Sequence, residues 1–481
     1  MRFAGRDLVS ITDFTNGEIE AVLDLAQEMD SALSKGRQLD LCRGKDMATL
    51  FYEPSTRTRG SFERAMHKLG GTVISFAEAR AMSSAAKGET IADTIRVLRS
   101  YADVIVIRHP WEGAARVAAD YAGVPVINAG DGSHEHPTQT LCDLYTLRKE
   151  KGKLKGLTVL LWGDLKYGRT VHSLIYALAR LGAEVLCAPL PGLDVPSSVL
   201  RRIGAEYDYV PTRVAPEDPN SFVGEVDVFY VAPFRPYNLA LWSDIDTSPC
   251  PEINIREALH RADAIYVTRV QAERQGESAA SESESDYPVV NGKLLSHLKK
   301  KTLVMHPLPR VNELAYELDD YPTSVYFQQA AYGVPIRMAL TALLLGASSV
   351  DLGDTGGSTN EAFYEQCSGI VGVTCPNPNC VSNHESRYVV PRLRMLKRHA
   401  GEPLTLRCAY CDHETHPTHI ASSEWHQGIL KYKRYYDSDS YMLDRIKPEN
   451  LIIFDSEKEA QAHGFMPGKR TAKLHSDGGA R

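Results

Sequence analysis

Residues 51–62 read Phe-Tyr-Glu-Pro-Ser-Thr-Arg-Thr-Arg-Gly-Ser-Phe. The apolar run Met47–Tyr52 ends just before Pro54 and predicts a strand, and the residues that follow predict a helix that continues to Leu69. Where a strand turns sharply into a helix, free backbone N–H groups and the helix dipole favour an anion. The hydroxyl and guanidinium groups of Ser55–Arg59 would suit a phosphate. They would equally suit an ordinary N-cap followed by solvated arginines, so the turn alone leaves both interpretations open.

The composition is that of a folded protein with several domains. A chain of 481 residues exceeds the size of one ordinary core, so we expect roughly two to four domains. The 43% hydrophobic and 24% charged fractions are typical of globular proteins in water. A formal net charge of −7 disfavours a nucleic-acid partner. Because the sequence shows no N-terminal apolar segment and no run of membrane-spanning length, we predict a cytoplasmic protein without a membrane partner.

Short apolar runs alternate with helical patterns as far as about Ser349. This alternation predicts an α/β fold with two domains, each built on a parallel sheet flanked by helices. A helix over Pro137–Lys151 would connect the two sheets. The predicted strands, besides the run that ends at Tyr52, are Thr72–Phe76, Val104–Ile107, Val124–Ile127, Thr158–Trp162, Glu184–Ala188, Val226–Val231, Ala264–Val267 and Thr302–Met305.

Basic side chains follow several of these predicted strands. Arg108 directly follows one strand, Arg269 comes two residues after another, and His306 follows a third. Ligands of open α/β sheets bind beyond the carboxyl ends of the strands, so these residues predict a substrate with phosphate or carboxylate groups. Glycine-rich nucleotide motifs are absent from the sequence. The acidic, serine-rich segment 271–290 is either a loop that closes over the substrate or an inert insertion.

Seven short motifs occur along residues 5–350 in the order found in aspartate carbamoyltransferases, and this part of the chain therefore resembles that family. The Ser-Thr-Arg-Thr-Arg and His-Pro-Thr-Gln motifs are shared with ornithine carbamoyltransferases. His-Pro-Leu-Pro-Arg and Asp-Leu-Lys-Tyr-Gly-Arg-Thr are the aspartate-type versions. The motifs cover Ser55–Arg59, Lys87–Thr90, Arg108–Pro110, His136–Gln139, Gly163–Leu174, Arg269–Gln271 and His306–Arg310.

The resemblance implies a site for carbamoyl phosphate and L-aspartate. Carbamoyl transfer needs a cradle for the phosphate, donors to the carbonyl oxygen and a clamp for the acceptor. The implied carbamoyl phosphate ligands are Ser55, Thr56, Arg57, Thr58, Ser83, Lys87, Arg108, His136, Gln139, Pro307 and Leu308. The implied aspartate ligands are Lys87, Arg169, Arg269 and Gln271. The implied catalytic residues are Arg57, Thr58, Lys87, Arg108, His136 and Gln139.

Two of these residues have ordinary alternatives. A lone histidine beside proline, such as His136, is usually structural; in the family the corresponding histidine donates to the carbonyl oxygen and is not the general base. Lys87 lies in a loop of small residues and would, from the sequence alone, be an exposed flexible lysine. The family's equivalents of Ser83 and Lys87 reach into the neighbouring subunit, which implies a homotrimer with shared active sites.

Four of the nine cysteines form two short pairs in the tail. Cys375-x4-Cys380 and Cys408-x2-Cys411 have the spacing of a closed structural zinc site, so we expect one Zn²⁺ per chain. The segment resembles the zinc domain in the regulatory chain of aspartate carbamoyltransferases. The nucleotide-binding domain that precedes it in that chain is missing here, which predicts no CTP inhibition or ATP activation through such a site.

The last segment weakly resembles the metal-binding domain of Ada-type DNA-repair proteins. Gly468 and Thr471 stand where its ligand cysteines would be, so we predict a small metal-free α+β module for packing or oligomerisation. A pairing of trimers through the C-terminal domains fits this prediction. The predicted domains are 1–137 with 331–350 for carbamoyl phosphate, 138–330 for aspartate, a linker at 351–366, a zinc-ribbon-like β domain at 367–420 and the tail module at 421–481.

These motifs together predict an aspartate carbamoyltransferase, which converts carbamoyl phosphate and L-aspartate into N-carbamoyl-L-aspartate and phosphate in pyrimidine synthesis. Two alternatives remain. One is a carbamoyltransferase for another amino acid such as ornithine, whose ammonium group would need a counter-charge that Arg169 and Arg269 do not supply. The other is a non-catalytic, zinc-bearing assembly subunit.

Overall fold

In a computed structural model, the chain forms two compact units. The first comprises Met1–Pro110 and Ala114–Thr355, and the second comprises Trp111–Gly113 and Gly356–Arg481. The residues described are 3–77, 79, 88–214, 226–232, 258–269, 290–350, 363–365, 374–385, 387–396, 402–423, 433–447 and 450–468. Within this described part, no helix combines the length and the apolar character needed to cross a membrane.

Two parallel sheets form the framework of the first unit, in agreement with the predicted fold class. The strands of the first sheet are β1 (Asp46–Phe51), β2 (Thr72–Phe76), β3 (Val104–His109) and β4 (Val126–Asp131). Those of the second sheet are β5 (Thr158–Gly163), β6 (Glu184–Pro189), β7 (Thr212–Arg213), β8 (Val228–Ala232), β9 (Ala264–Val267) and β10 (Leu303–Met305). The strand order is β2-β1-β3-β4 in the first sheet and β10-β9-β8-β5-β6-β7 in the second.

The second sheet is covered on both faces. Along β5, Val159 and Leu161 belong to one hydrophobic core, whereas Leu160 and Trp162 belong to another on the opposite face. A strand that is buried on both sides needs apolar residues at consecutive positions, because alternate side chains point to opposite faces. This requirement explains why the strands of the sheet read as continuous apolar runs.

Helices connect and cover the two sheets. The described α-helices of the first unit are α1 (Asn16–Ser34), α2 (Thr56–Lys68), α3 (Ile91–Leu98), α4 (Ala114–Ala122), α5 (Pro137–Lys151), α6 (Arg169–Arg180), α7 (Ser197–Tyr207), α8 (Gly292–Ser296), α9 (Tyr326–Ala331) and α10 (Gly333–Leu344). Helix α5 has the bounds predicted from the sequence and runs from β4 to β5, so it links the two sheets. Helix α10 packs against α1, α2 and α5, which returns the chain from the second sheet to the first.

All the predicted strands except β2 and β9 differ from their predicted bounds by one or more residues at an end, and β4 differs most. The sequence predicts β4 at Val124–Ile127, but the strand starts at Val126 and continues to Asp131. Its polar end is stable because Asn128 Nδ2 donates to Asp131 Oδ1 and to a backbone carbonyl, both at 2.9 Å. Strand β8 begins two residues later than predicted, after Asp227. Apolar runs locate a strand, but they do not show where buried polar residues extend it.

The described residues of the second unit form two small sheets. Its elements are β11 (Phe363–Glu365), β12 (Arg392–Met395), β13 (Leu406–Cys408), β14 (Glu414–Thr415), β15 (His419–Ser422), β16 (Arg434–Asp437), β17 (Leu451–Phe454), β18 (Met466–Pro467) and α11 (Glu457–Ala462). The sheets have the orders β11-β12-β13-β14 and β17-β15-β16-β18. The predicted boundary between residues 420 and 421 falls inside β15, which pairs with β16 and β17.

The short segment Trp111–Gly113 packs within the second unit. The ring of Trp111 stacks on His384 with the ring centroids 4.4 Å apart, and the carboxylate of Glu112 accepts a hydrogen bond from Asn377 Nδ2 at 2.7 Å. Gly113 has a φ of +83°, and a Cβ at this position would lie 2.5 Å from the Cβ of Tyr410. A side chain at this position would therefore strain the backbone and clash.

Candidate active site

A cavity of about 410 Å³ lies in the first unit. It is lined by the turn after β1, the end of β3 and the start of α5, and also by residues that follow β9 and β10. Ten residues of the predicted site line it: Ser55, Thr56, Arg57, Thr58, Arg108, His136, Gln139, Arg269, Pro307 and Leu308. Ser83, Lys87 and Gln271 lie outside the described residues, and for Arg169 only the backbone position at the start of α6 is described.

The turn between β1 and α2 leaves donors for a ligand. Ser55 is the N-cap residue of α2, with φ −155° and ψ 92°. Among the described residues, its side chain makes no capping hydrogen bond to the first turn of the helix. The N–H groups of a first helical turn also have no partner within the helix. The geometry therefore favours the anion-binding interpretation of the turn over the ordinary Ser/Thr cap.

The two arginines of the turn have different surroundings. Burial lowers the pKa of Arg57, and the positive charge of Arg269 lowers it further. A bound anion would offset both effects, and Arg57 lines the cavity. Arg59 instead contacts the protein: its Nη1 lies 3.2 Å from Glu63 Oε1 and donates to Ser75 Oγ at 2.9 Å. Arg57 is thus placed for a ligand, whereas Arg59 stabilises the local structure.

Arg108, in β3, and His136, just before α5, both line the cavity. Arg108 Nη1 donates to the carbonyl of Ala129 at 3.3 Å, and its Nε lies 3.3 Å from Glu53 Oε2. His136 is buried immediately before α5, and its Nδ1 lies 3.4 Å from the hydroxyl of Thr138. Both side chains are held by protein groups at one end, which limits their freedom while they line the cavity.

The loop after β10 is shaped by His306. Its Nδ1 accepts a hydrogen bond from the backbone N–H of Leu308 at 2.8 Å, so the ring proton of the neutral imidazole resides on Nε2. This Nε2 lies 2.8 Å from Glu313 Oε1. Burial lowers the pKa of His306, while the hydrogen bond with Glu313 acts in the opposite direction. The ring thereby holds Pro307 and Leu308 at the cavity wall.

Other cavity residues were not among the predicted site residues. They are Pro54, Ser61, Cys142, Thr170, Thr268, His306, Pro309, Gln329, Ala330, Gly333 and Arg337. Thr268 could have been found, because it lies between a strand end and Arg269. Arg337 is a buried, charged residue within the apolar helix α10. A single charge in an apolar helical segment is the sequence pattern that could have indicated it. Gln329 reaches the cavity from α9, and we find no sequence pattern that indicates it.

The second unit contains a candidate metal site. The Sγ atoms of Cys375, Cys380, Cys408 and Cys411 lie within 4.8 Å of one another, and all four residues are buried. Sγ–Sγ distances are 3.5 Å for Cys375 and Cys411 and 3.7 Å for Cys380 and Cys408. Four sulfur atoms about 2.3 Å from a tetrahedral zinc ion would be about 3.8 Å apart. The donor set and its spacing therefore fit a tetrahedral metal ion.

Known proteins resemble the first unit over nearly its whole length. The chain matches the family models for the carbamoyl phosphate-binding domain of aspartate/ornithine carbamoyltransferases over residues 6–149 and for their Asp/Orn-binding domain over residues 245–344. The aspartate carbamoyltransferase catalytic subunit of Thermococcus kodakarensis is 45% identical over 351 residues, which are 73% of this chain and 100% of that protein. The chain belongs to the aspartate carbamoyltransferase family. The catalytic subunit of Thermoplasma acidophilum is 43% identical over 71% of this chain and 98% of its own length.

Solved structures of aspartate carbamoyltransferases share the fold of the first unit. The catalytic subunit from M. jannaschii has a TM-score of 0.55 and 40% identity, and the match covers 71% of this chain and 98% of that chain. The enzyme from Trypanosoma cruzi, solved in complex with carbamoyl phosphate and aspartate, has a TM-score of 0.57 and 35% identity. That match covers 71% of this chain and 96% of the other.

The second unit also has a counterpart in the aspartate carbamoyltransferase system. Residues 365–421 match the metal-binding domain of the aspartate carbamoyltransferase regulatory chain. Only residues 345–364 separate this match from the one to the Asp/Orn-binding domain, which is too few for a domain of ordinary size. Catalytic-type domains and a regulatory-type metal-binding domain thus share one polypeptide, without an effector domain between them.

Proposed function

We propose that the chain transfers the carbamoyl group of carbamoyl phosphate to L-aspartate and so forms N-carbamoyl-L-aspartate and phosphate for pyrimidine synthesis. The observation that carries this proposal is that the Ser55–Thr58 turn, Arg108, His136 and Arg269 line one cavity. A phosphate, a carbonyl group and a dicarboxylate acceptor need such donors in one place. The Trypanosoma cruzi structure with carbamoyl phosphate and aspartate supports the same pair of substrates.

The proposed reaction begins with the phosphate group in the β1–α2 turn, where Arg57 pairs with it. Arg108 and His136 donate to the carbonyl oxygen, which becomes negative when the amine of aspartate attacks the carbonyl carbon. The new C–N bond forms, and the bond from the carbonyl carbon to the phosphate oxygen then breaks. The departing phosphate accepts the proton that the amine loses. His136 therefore acts as a hydrogen-bond donor and not as the general base.

The two carboxylates of L-aspartate are proposed to bind Arg169, Arg269 and Gln271. Of these, Arg269 follows Thr268 at the end of β9 and lines the cavity. The charge of Arg269 lowers the pKa of Arg57, so the two guanidinium groups are close enough to repel each other. Two anionic substrates bound between them would offset this repulsion, which favours a dicarboxylate over a cationic acceptor.

A side-by-side assay with L-aspartate and L-ornithine tests the acceptor. We expect kcat/KM for aspartate to exceed that for ornithine by at least about 10³-fold, because a cationic side chain would leave the arginines unpaired. The Arg269→Met variant should raise KM for aspartate, whereas the control Arg310→Met should change it little, since Arg310 pairs with Asp319 at 2.6 Å. A preference for ornithine would contradict the proposed acceptor. Turnover with neither amino acid would favour the non-catalytic assembly subunit.

We further propose that the four cysteines bind one structural Zn²⁺ ion. All four ligand atoms are sulfur and all four residues are buried, as in closed structural zinc sites. Hydrogen bonds from the neighbouring thiols lower the pKa of Cys380 because they stabilise its thiolate, and the bond from Cys375 has the largest effect. A metal cation bound by the four sulfur atoms would stabilise all four thiolates in place of these hydrogen bonds.

A homotrimer with shared active sites is part of the same proposal. By analogy with the family, Ser83 and Lys87 would reach into the site of the neighbouring subunit, and the C-terminal domains would join two trimers. A cytoplasmic location fits the seven described cysteines, none of which forms a disulfide bond. The native mass of the full chain would test the trimer, because a catalytically active monomer would contradict shared sites.

A further inference from the structure

The buried carboxylate of Asp143 connects two walls of the cavity in the first unit. Asp143 lies on α5, one helical turn after Gln139, and is 1% exposed. Its Oδ1 accepts hydrogen bonds from Gln139 Nε2 at 2.8 Å and from Gln329 Nε2 at 2.9 Å. Gln139 and Gln329 both line the cavity, whereas Asp143 lies behind them. Asp143 was not among the residues predicted from the sequence.

The orientation of the Gln329 amide follows from a single backbone group. The N–H of His306 can only donate, so the atom that accepts from it at 2.9 Å must be the Oε1 of Gln329. The other end of that amide, Nε2, then donates to Asp143, whose Oδ1 must be an acceptor. Gln139 also presents its Nε2 to the same Oδ1, the orientation required when the carboxylate of Asp143 is ionised and can only accept. Because Nε2 faces Asp143, the acceptor that Gln139 can offer to a ligand in the cavity is its carbonyl oxygen, beside the second N–H of its Nε2.

A carbonyl oxygen in this position distinguishes carbamoyl phosphate from close analogues. The carbamoyl group carries an NH₂ with two donors, whereas acetyl phosphate has a methyl group there and an identical phosphate. A site whose polar group is left unpaired rejects the analogue that lacks the matching donor. We propose that Asp143 is a positioning and specificity-determining residue, which holds Gln139 as the acceptor for the carbamoyl NH₂. This inference rests on the proposed function.

The surroundings of Asp143 support a positioning role. Burial raises the pKa of Asp143 to about 7, while hydrogen bonding from Gln139, Gln329 and the hydroxyl of Tyr266 acts against this shift. Burying a carboxyl group between two neutral amides costs stability, and an apolar side chain of similar size would avoid this cost. What the carboxyl group supplies, and a leucine could not, is an acceptor for two donors at once.

Two substitutions at Asp143 separate this role from simple packing. Asp143→Leu keeps the size but removes the acceptor, so Gln139 loses its fixed orientation. We expect KM for carbamoyl phosphate to rise about tenfold or more, with a smaller change in kcat. We also expect the inhibition constant of acetyl phosphate, divided by KM for carbamoyl phosphate, to become smaller, because the variant would discriminate less between the two compounds. Asp143→Asn keeps a carbonyl oxygen and should recover most of the affinity and of this ratio.

Two further variants complete the test. Thr146→Val on the same helix is the matched control, because the Thr146 hydroxyl donates to the carbonyl of Cys142 within the helix at 2.8 Å and Thr146 does not line the cavity. Gln329→Met breaks the connection without touching Asp143, and it should raise KM in the same direction even if Asp143→Leu does not fold.

Three results would overturn the inference. The first is that Gln329→Met and folded Asp143→Leu leave both KM for carbamoyl phosphate and the acetyl phosphate ratio unchanged. The second is that Asp143→Asn is as impaired as Asp143→Leu. The third is that Thr146→Val has an equal effect. Absence of carbamoyl transfer in the unmodified chain would instead contradict the proposed function, so the two failures are distinguishable.

Discussion

Replacing Arg57 with alanine is expected to lower kcat/KM for carbamoyl phosphate by about 10²–10³-fold. Arg57 lines the cavity, and the nearby charge of Arg269 contributes to lowering its pKa. Its guanidinium group would stabilise the phosphate both when it binds and when it departs with additional negative charge. The effect should therefore appear in kcat as well as in KM. Initial rates over a range of both substrates would measure it.

Arg59→Ala is the matched control for this substitution. Arg59 lies two residues further along the same helix, but its guanidinium group contacts Glu63 and Ser75. Its removal should cost a few tenths of a kcal/mol of stability, as is usual for a part-exposed ion pair, and should change kcat/KM by less than about threefold. If Arg57→Ala turned over at the unmodified rate, the assignment of the β1–α2 turn as the phosphate cradle would be wrong.

Replacing Cys408 with serine is expected to remove the metal and to unfold the small sheet that contains β12, β13 and β14. Strand β13 ends at Cys408, and all four sulfur atoms lie within 4.8 Å of one another. Binding of structural zinc contributes about 10–16 kcal/mol to the folding of zinc-finger peptides, which exceeds the stability of most small domains. Metal content should fall from about one ion per chain to nearly none. Amide exchange over residues 402–423 should become fast.

Cys187→Ala provides the control for the loss of a buried cysteine. Cys187 lies in β6 of the first unit and belongs to its hydrophobic core. This variant should lose some stability but keep its full metal content. A strong chelator added to the unmodified protein should reproduce the amide exchange pattern of Cys408→Ser. Full metal content in Cys408→Ser, or slow exchange after chelation, would contradict a four-cysteine structural site.

Local patterns were sufficient where the deciding residues are close in the chain. The bounds of α5, β2 and β9 agree with the prediction because apolar spacing and capping residues act over a few positions. Polar residues interrupt the apolar pattern, so the predicted β4 ends before Asn128, whereas the strand continues to Asp131. The segment Trp111–Gly113 gives no local indication that it packs in the second unit, because its partners lie more than 250 residues away.

The same distinction holds for the candidate site. The sequence by itself determined the donor-rich β1–α2 turn, the arginines at strand ends and the paired cysteines, since each is a cluster of reactive groups within a few residues. Only the tertiary structure decided that Asp143 joins Gln139 to Gln329, which is 186 residues further along the chain from Asp143. A buried polar group must find a hydrogen-bond partner, but the sequence does not show which distant residue supplies it. The folded chain settles that pairing, and with it the direction in which Gln139 faces its ligand.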